Sequence, residues 1–351
     1  MTLMPNQLLQ KLGIENPIIL APMAGGPSTP ELAAAVSNAG GLGSLGCAYM
    51  SPEQIVEEIR RTRALTTRPF AVNLFSSRYE EHVDANPGPM LALLAKIHEE
   101  LALPAPQLPK LPPDPFPQQL DFVIEAGVPV FSFTFGIPDA AAMARLKQRG
   151  ILVIGTATTI EEGRLLQSAG VDAIAAQGAE AGAHRGTFAR AFEDSMVPTL
   201  ELVRGLVASC SVPIIASGGL MDGRDIASAI AAGGSAVQLG TAFLTCPESG
   251  ASQTYKRALL AARADTTEIT RAFSGRPARG LRNKFMAELQ GRENDILSFP
   301  LQNALTRPMR TAAAKQNRSD YLSLWAGTGV ARTRSMPAAD LVDRLLEEAG
   351  L

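Results

Sequence analysis

Eight short runs, apolar or glycine-rich, recur along the chain at 17–23, 40–46, 70–75, 128–135, 151–155, 171–176, 212–216 and 236–239. Continuous apolar runs of this length suit strands covered on both faces, as in a parallel sheet. Between them, mixed apolar and polar stretches predict helices at 30–38, 51–63, 118–126, 138–148, 159–169, 196–208, 222–231 and 255–263. Thr29 offers a capping oxygen to the first of these, and Pro30 suits its first turn. Eight strands alternating with helices predict an α/β fold, a (β/α)8 TIM barrel. A doubly wound open sheet is the alternative. Against a dinucleotide-binding form of it, no Gly-x-Gly-x-x-Gly with an acidic residue about 20 positions on follows the first run.

The rhythm breaks twice. Residues 76–117 read as an insertion, with a helix at 90–101 and then a proline-dense stretch, 103–117. That stretch cannot be regular helix and is expected to run over the surface as a rim of the barrel mouth. Residues 265–351 do not continue the barrel. Within them, 299–307 sets polar residues in an apolar frame, and 338–348 predicts a terminal helix with Leu341, Leu345 and Leu346 on one side. The expected division is a barrel over 1–264 carrying that insertion, and a C-terminal cap over 265–351. The cap is expected to reach the substrate side of the mouth and to return its last helix to the barrel.

Composition narrows the function classes. With 351 residues, 46% of them hydrophobic, the chain is able to bury a large core. A net charge of -2 provides no overall field for nucleic acid or an anionic membrane. Cys47, Cys210 and Cys246 are scattered and odd in number, neither a disulfide framework nor a metal-ligand set, so a reducing cytoplasm is expected and a metal is not. No secretory signal and no run long enough to span a membrane is apparent.

The candidate chemistry collects after the predicted strands. The sixth run leads into Gln177-Gly-Ala-Glu-Ala-Gly-Ala-His184-Arg-Gly186. Here glycines permit close backbone approach, Gln177 donates and accepts, and His184 is expected to titrate near neutrality. A barrel would gather Met23, Asn73, Gln177, His184, Gly218, Gly219 and Gln238 on its carboxyl-end face. Gly218 and Gly219 follow the seventh run, and Gly240 and Thr241 follow the eighth, where barrels often hold phosphate on backbone N–H groups. The phosphate would belong to a phosphorylated substrate or to FMN. The amides Asn73 and Gln177 suit the N and O edge of a flavin better than the hydroxyls of a sugar. Met23 is open to two readings, flavin contact or core. Glu180 either orients its loop or faces solvent.

Those residues carry a resemblance. Ala21-Pro-Met-Ala-Gly-Gly26, the stretch from Ala176 to Gly186, Ala216-Ser-Gly-Gly-Leu220, Gln238-Leu-Gly-Thr-Ala-Phe243 and Leu324-Trp-Ala-Gly-Thr-Gly-Val330 resemble the nitronate monooxygenase family, formerly 2-nitropropane dioxygenases, in its class I branch. The resemblance implies an FMN-binding barrel with contacts from Met23, Asn73, Gln177, Gly182, Gly218, Gly219, Gln238, Gly240 and Thr241. It places His184 beside the flavin as the catalytic residue that handles a nitro or nitronate group. Ala183 stands where relatives usually have glycine, a change that adds only a methyl. Phe299, Asn303 and Arg307 fall on a substrate-side motif, with Phe299 lacking the hydroxyl of the tyrosine often found there.

The implied reaction is FMN-dependent oxidation of alkyl nitronates by O2 to a carbonyl compound and nitrite, with propionate 3-nitronate as the expected substrate. In it His184 acts either as a base or as a protonated anion-binding group. The rival is an NAD(P)H-dependent flavin reductase acting on quinones or enoyl thioesters. A monomer or homodimer is expected.

Overall fold

The apolar runs form strands β1 (Ile18–Leu20), β2 (Gly43–Gly46), β3 (Phe70–Phe75), β4 (Val130–Thr134), β5 (Leu152–Ala157) and β6 (Ala173–Gln177). A two-residue strand β7 (Ala183–His184) lies in the histidine loop, before β8 (Ile214–Ser217) and β9 (Ala236–Leu239). The structure is a computed structural model that describes residues 6–76, 86–111 and 113–351. His82 lies outside them.

Of these nine strands, all but β7 pair in parallel in the order β1-β9-β8-β6-β5-β4-β3-β2. Ile19 and Leu42 bridge the two ends. Leu20 N–H donates to Leu42 O and Leu42 N–H to Ile18 O, both at 2.9 Å. These bonds close the sheet, so the fold is the barrel and not the open sheet.

Alternate residues of each strand face opposite ways. Ile18, Leu20, Val72, Phe131, Phe133, Ile174 and Ile214 point outward into a core shared with the surrounding helices. Ile19, Ala71, Val130, Ile154, Ala173, Ala175, Ile215 and Ala236 fill the interior, stoppered at the amino end by Leu8 and Leu12 of the helix Gln7–Leu12.

A second core lies outside the barrel. Met90, Leu94 and Ile97 of the inserted helix Gly88–Glu100 pack with Phe273, Phe285, Leu305 and Met309 from the tail. Met23 touches both cores. The tail holds more regular structure than its sequence suggests. It contains an antiparallel pair, β10 (Thr267–Thr270) and β11 (Ala278–Leu281), and a helix Leu301–Lys315 that takes in most of 299–307. The final helix Ala338–Ala349 packs against the helices Gly223–Ala231 and Pro30–Asn38 of the barrel.

Gly43 sits where β2 meets the helix Pro30–Asn38. A Cβ there would stand 1.9 Å from Ala33 O. Because that neighbour is backbone, Gly43→Ala is expected to cost at least about 3 kcal/mol, the upper end of ordinary overpacking. A urea-unfolding midpoint unchanged from wild type would refute the close approach.

Candidate active site

The strand alternation that fills the barrel with apolar groups at its amino end turns polar ones inward at its carboxyl end. Asn73, Ser132, Thr134, Thr156, Gln177, Ser217 and Gln238 lie an even number of residues beyond the interior apolar positions. They bond across neighbouring strands. Asn73 Nδ2 donates to Ser132 Oγ at 2.9 Å, Thr134 and Thr156 hydroxyls meet at 3.4 Å, and Gln238 Nε2 donates to Ser217 Oγ at 3.2 Å.

Gln177 ends β6 and clamps the loop that follows. Its Oε1 accepts from Gly186 N–H at 2.7 Å, and its Nε2 donates to His184 O at 2.9 Å. One N–H of the amide is left for any ligand. Buried Arg185 ties the loop from beneath, donating to the carbonyls of Gly178, Gln177 and Ser195 at 2.5, 3.0 and 2.8 Å. Glu180 orients the loop: its carboxylate accepts from Thr199 N–H and Oγ–H at 2.8 and 2.7 Å, at the start of the helix Thr199–Ser209. From the other side β11 pairs antiparallel with β7, setting Ala278 opposite His184 and Arg279 opposite Ala183. Ala183 takes φ 61°, the left-handed region. Replacing glycine by alanine there therefore adds backbone strain as well as a methyl.

This clamp presents His184 inside a box of aromatic rings. Its centroid lies 6.4 Å from Phe75, 5.9 Å from Phe135, 6.5 Å from Phe299 and 5.6 Å from Trp325. Nε2 stands 2.8 Å from Ser274 Oγ, which in turn donates to Arg276 O at 3.2 Å. The Arg276 guanidinium lies 4.0 Å from the Phe135 ring centroid. Enclosure, reinforced by the charges of Arg276 and Arg310, pushes the His184 pKa down to about 3. The expectation of titration near neutrality is corrected accordingly. The imidazole is neutral at physiological pH, and positive charge at the mouth comes from arginine.

The glycine turns adjoin this box. Gly218 and Gly219 have φ 124° and 71°, conformations that side chains rarely adopt. Among the described residues, the N–H groups of Gly218, Gly219, Gly240 and Thr241 donate to no protein acceptor. The tail segment 326–328 joins the two turns. Gly327 N–H donates to Thr241 Oγ1 at 3.0 Å, and a Cβ on Gly182 would come 2.6 Å from Gly327 N. The Met23 sulfur lies 3.7 Å from the point where a Cβ on Gly240 would stand.

Of the tail candidates, Phe299 reaches the box. Asn303 is buried and accepts from Arg310 Nη2 through both its backbone and side-chain oxygens, at 2.7 and 2.8 Å. Arg307 is exposed and lines an outer groove with Leu101, Leu103 and Pro308, its guanidinium 5.7 Å from the Tyr49 ring. On this helix it is Arg310, one helical turn further on, whose charge adds to that of Arg276 on His184. Ser274, Arg276 and Arg310 are absent from the sequence-based candidates. Phe75 and Phe135 are legible in hindsight as aromatic residues closing the third and fourth apolar runs, and Trp325 as part of the quoted motif 324–330.

A sequence profile described as nitronate monooxygenase matches residues 6–348. The chain belongs to the nitronate monooxygenase family. A "probable nitronate monooxygenase" of Staphylococcus aureus is 40% identical over 344 residues, covering 98% of this chain and 97% of the relative. One of Staphylococcus saprophyticus is 39% identical over 340 residues, covering 96% of each. Among solved structures, a nitroalkane oxidase from Streptomyces ansochromogenes superposes with TM-score 0.90 at 40% identity, covering 98% of both chains. FabK from Thermotoga maritima superposes with TM-score 0.78 at 30% identity, covering 98% of this chain and 96% of that one. As a member of the nitronate monooxygenase family, the chain is an oxidoreductase.

Two outcomes follow from the clamped loop. Ala183→Gly is expected to stabilise the protein by about 0.5–1 kcal/mol, because relief of left-handed strain exceeds the added chain entropy of glycine; thermal unfolding reads it. His184 has a native pKa of about 3 against an ordinary value of 6.5. The unfolded chain therefore binds the proton more readily between these values. The associated stability is complete above about pH 6.5 and is lost as pH falls toward 3. His184→Asn should flatten that part of the stability profile in urea titrations, and an unchanged slope would count against a neutral, enclosed imidazole.

Proposed function

We propose that this protein oxidises alkyl nitronates with O2 on bound FMN, giving a carbonyl compound and nitrite, with propionate 3-nitronate as the substrate. The observation that carries this reading is a neutral histidine, boxed by aromatic rings and flanked by arginine charge, beside a set of unclaimed backbone N–H groups. Family membership and the likeness to the Streptomyces nitroalkane oxidase support it.

The residues present fit FMN. The N–H groups of Gly218, Gly219, Gly240 and Thr241 would hold its phosphate, where a Cβ at Gly219 would crowd Glu180 Cβ at 2.7 Å. Gln238, the remaining N–H of Gln177, and Asn73 would face its polar edge, with Met23 against its plane. When bound, the flavin supplies the electron acceptor that side chains lack and passes electrons on to O2.

The chain's own groups do the rest. The aromatic box surrounds the half-buried ring of His184. The ring is fixed by Ser274 at Nε2 and by the loop clamp at its backbone. A neutral imidazole accepts the α-proton of a nitroalkane, whereas a nitronate, already deprotonated, needs only to be held and oriented. Arg276 and Arg310 supply the charge that attracts it.

Denatured protein is expected to release noncovalent FMN, read by mass. Anaerobic stopped-flow mixing should show flavin reduction by propionate 3-nitronate and none by NADH. His184→Asn should lose about 10²–10⁴-fold on a neutral nitroalkane, the usual scale for a positioned base, and keep part of its nitronate activity. Reduction by NADH alone would replace this reading with the reductase.

A further inference from the structure

The tail meets the barrel where the glycine turns lie open. Gly327 sits among three parts of the candidate cradle. Its N–H donates to Thr241 Oγ1 at 3.0 Å, and a Cβ on it would stand 2.7 Å from Glu180 O, 3.2 Å from Gly182 N and 3.6 Å from Gly219 N. Its φ of -77° and ψ of 172° suit any residue, so glycine here serves close approach rather than backbone freedom. A side chain would press on the N–H groups of Gly182 and Gly219, which donate to no protein acceptor among the described residues. Thr328 follows. Its N–H donates to Glu180 O at 3.0 Å, which fixes its backbone beside the histidine loop. The residue is exposed, and its hydroxyl lies 3.2 Å from the point where a Cβ on Gly219 would stand. Among the described residues that hydroxyl bonds to no protein group. Further on, Arg332 Nη2 donates to Gly219 O at 3.2 Å, while Nη1 pairs with Asp222 and Asp225 at 2.9 and 2.8 Å. The two carboxylates offset the Arg332 charge, which leaves the Thr328 hydroxyl as the tail's open donor beside the turn.

A phosphate monoester offers three strong acceptor oxygens. Backbone N–H groups would meet it from the barrel, and a hydroxyl beside Gly219 reaches the same place from the tail. We infer that Thr328 is a specificity-determining residue of the cofactor site. Its hydroxyl donates to the flavin phosphate, so that the chain selects FMN over riboflavin and the phosphate bridges barrel and tail. The inference rests on the FMN reading above. A hydrogen bond to a charged acceptor is stronger than one between neutral groups, and riboflavin, which ends in a hydroxyl, offers no such acceptor.

The test uses the full chain stripped of flavin and reads dissociation constants from the quenching of flavin fluorescence. Thr328→Val keeps nearly the same shape without the hydroxyl. It is expected to bind FMN roughly 10- to 100-fold more weakly, the scale of one hydrogen bond to a charged group, and to bind riboflavin as wild type does. Thr328→Ser should recover most of the FMN affinity. If Thr328→Val fails to fold, Thr328→Ala serves, judged by the same ratio of FMN to riboflavin affinity. FMN affinity equal to that of wild type overturns the inference. So does an equal loss on both flavins, which marks a structural role. Calorimetry with ribitol 5-phosphate, the side chain of FMN without its ring, tells the two failures apart. Wild type that binds neither flavin, yet binds ribitol 5-phosphate at least about 10-fold more tightly than Thr328→Val, keeps the phosphate contact and removes the flavin. Wild type and Thr328→Val that bind FMN and ribitol 5-phosphate alike keep the flavin and remove the contact.

Discussion

The candidate site depends on a loop that is gripped from two directions. Gln177, the last residue of β6, spends its amide oxygen on Gly186 and one N–H on His184 O, while β11 of the tail pairs with β7. The glutamine fixes the loop to the barrel, and the tail strand fixes which way the two-residue strand faces. His184 becomes a positioned group only when barrel and tail are folded together. The strained φ of Ala183 is a local consequence, since the turn geometry is set by the partners on both sides and the side chain must accept it.

Placement of His184 in turn decides its chemistry. Four aromatic neighbours and two arginine charges disfavour the imidazolium, so the ring serves as a neutral acceptor or donor. On the proposed function, charge complementarity to an anion falls to the guanidinium groups, which do not deprotonate in the physiological range. That proposal thus gives proton handling and anion attraction to different residues. A single protonated histidine would have had to do both, and would have lost one function on gaining the other.

The second core explains why the insertion matters. The helix Gly88–Glu100 packs on the tail, so an interruption of the barrel supports the elements that carry Phe273, Trp325 and Arg310. Tyr321 is fully buried, yet its hydroxyl reaches Glu100 and Lys284 at the edge of that contact. The proline-dense stretch is anchored through His98, whose Nδ1 lies 2.6 Å from Pro104 O.

Local pattern was enough for the barrel. Eight apolar runs separated by helical stretches leave few ways to bury both faces of a parallel sheet, and the glycine turns and His184 are marked by residue types that chain geometry demands. The alternation of side chains also determines, once strands are granted, that Asn73, Gln177 and Gln238 face the same way as the interior apolar residues. Tertiary structure alone decided the rest. The sequence around 265–315 shows no sign of a hairpin that completes the histidine loop, because four-residue strands, one of them paired with β7 residues 94 and 96 positions away, leave little local signature. Arg307 and Arg310 look alike in sequence. Only the direction in which the helix Leu301–Lys315 packs sends one to the outer groove and the other toward His184. The neutral state of that histidine likewise follows from enclosure by rings and cations drawn from distant segments, which no single stretch of sequence specifies.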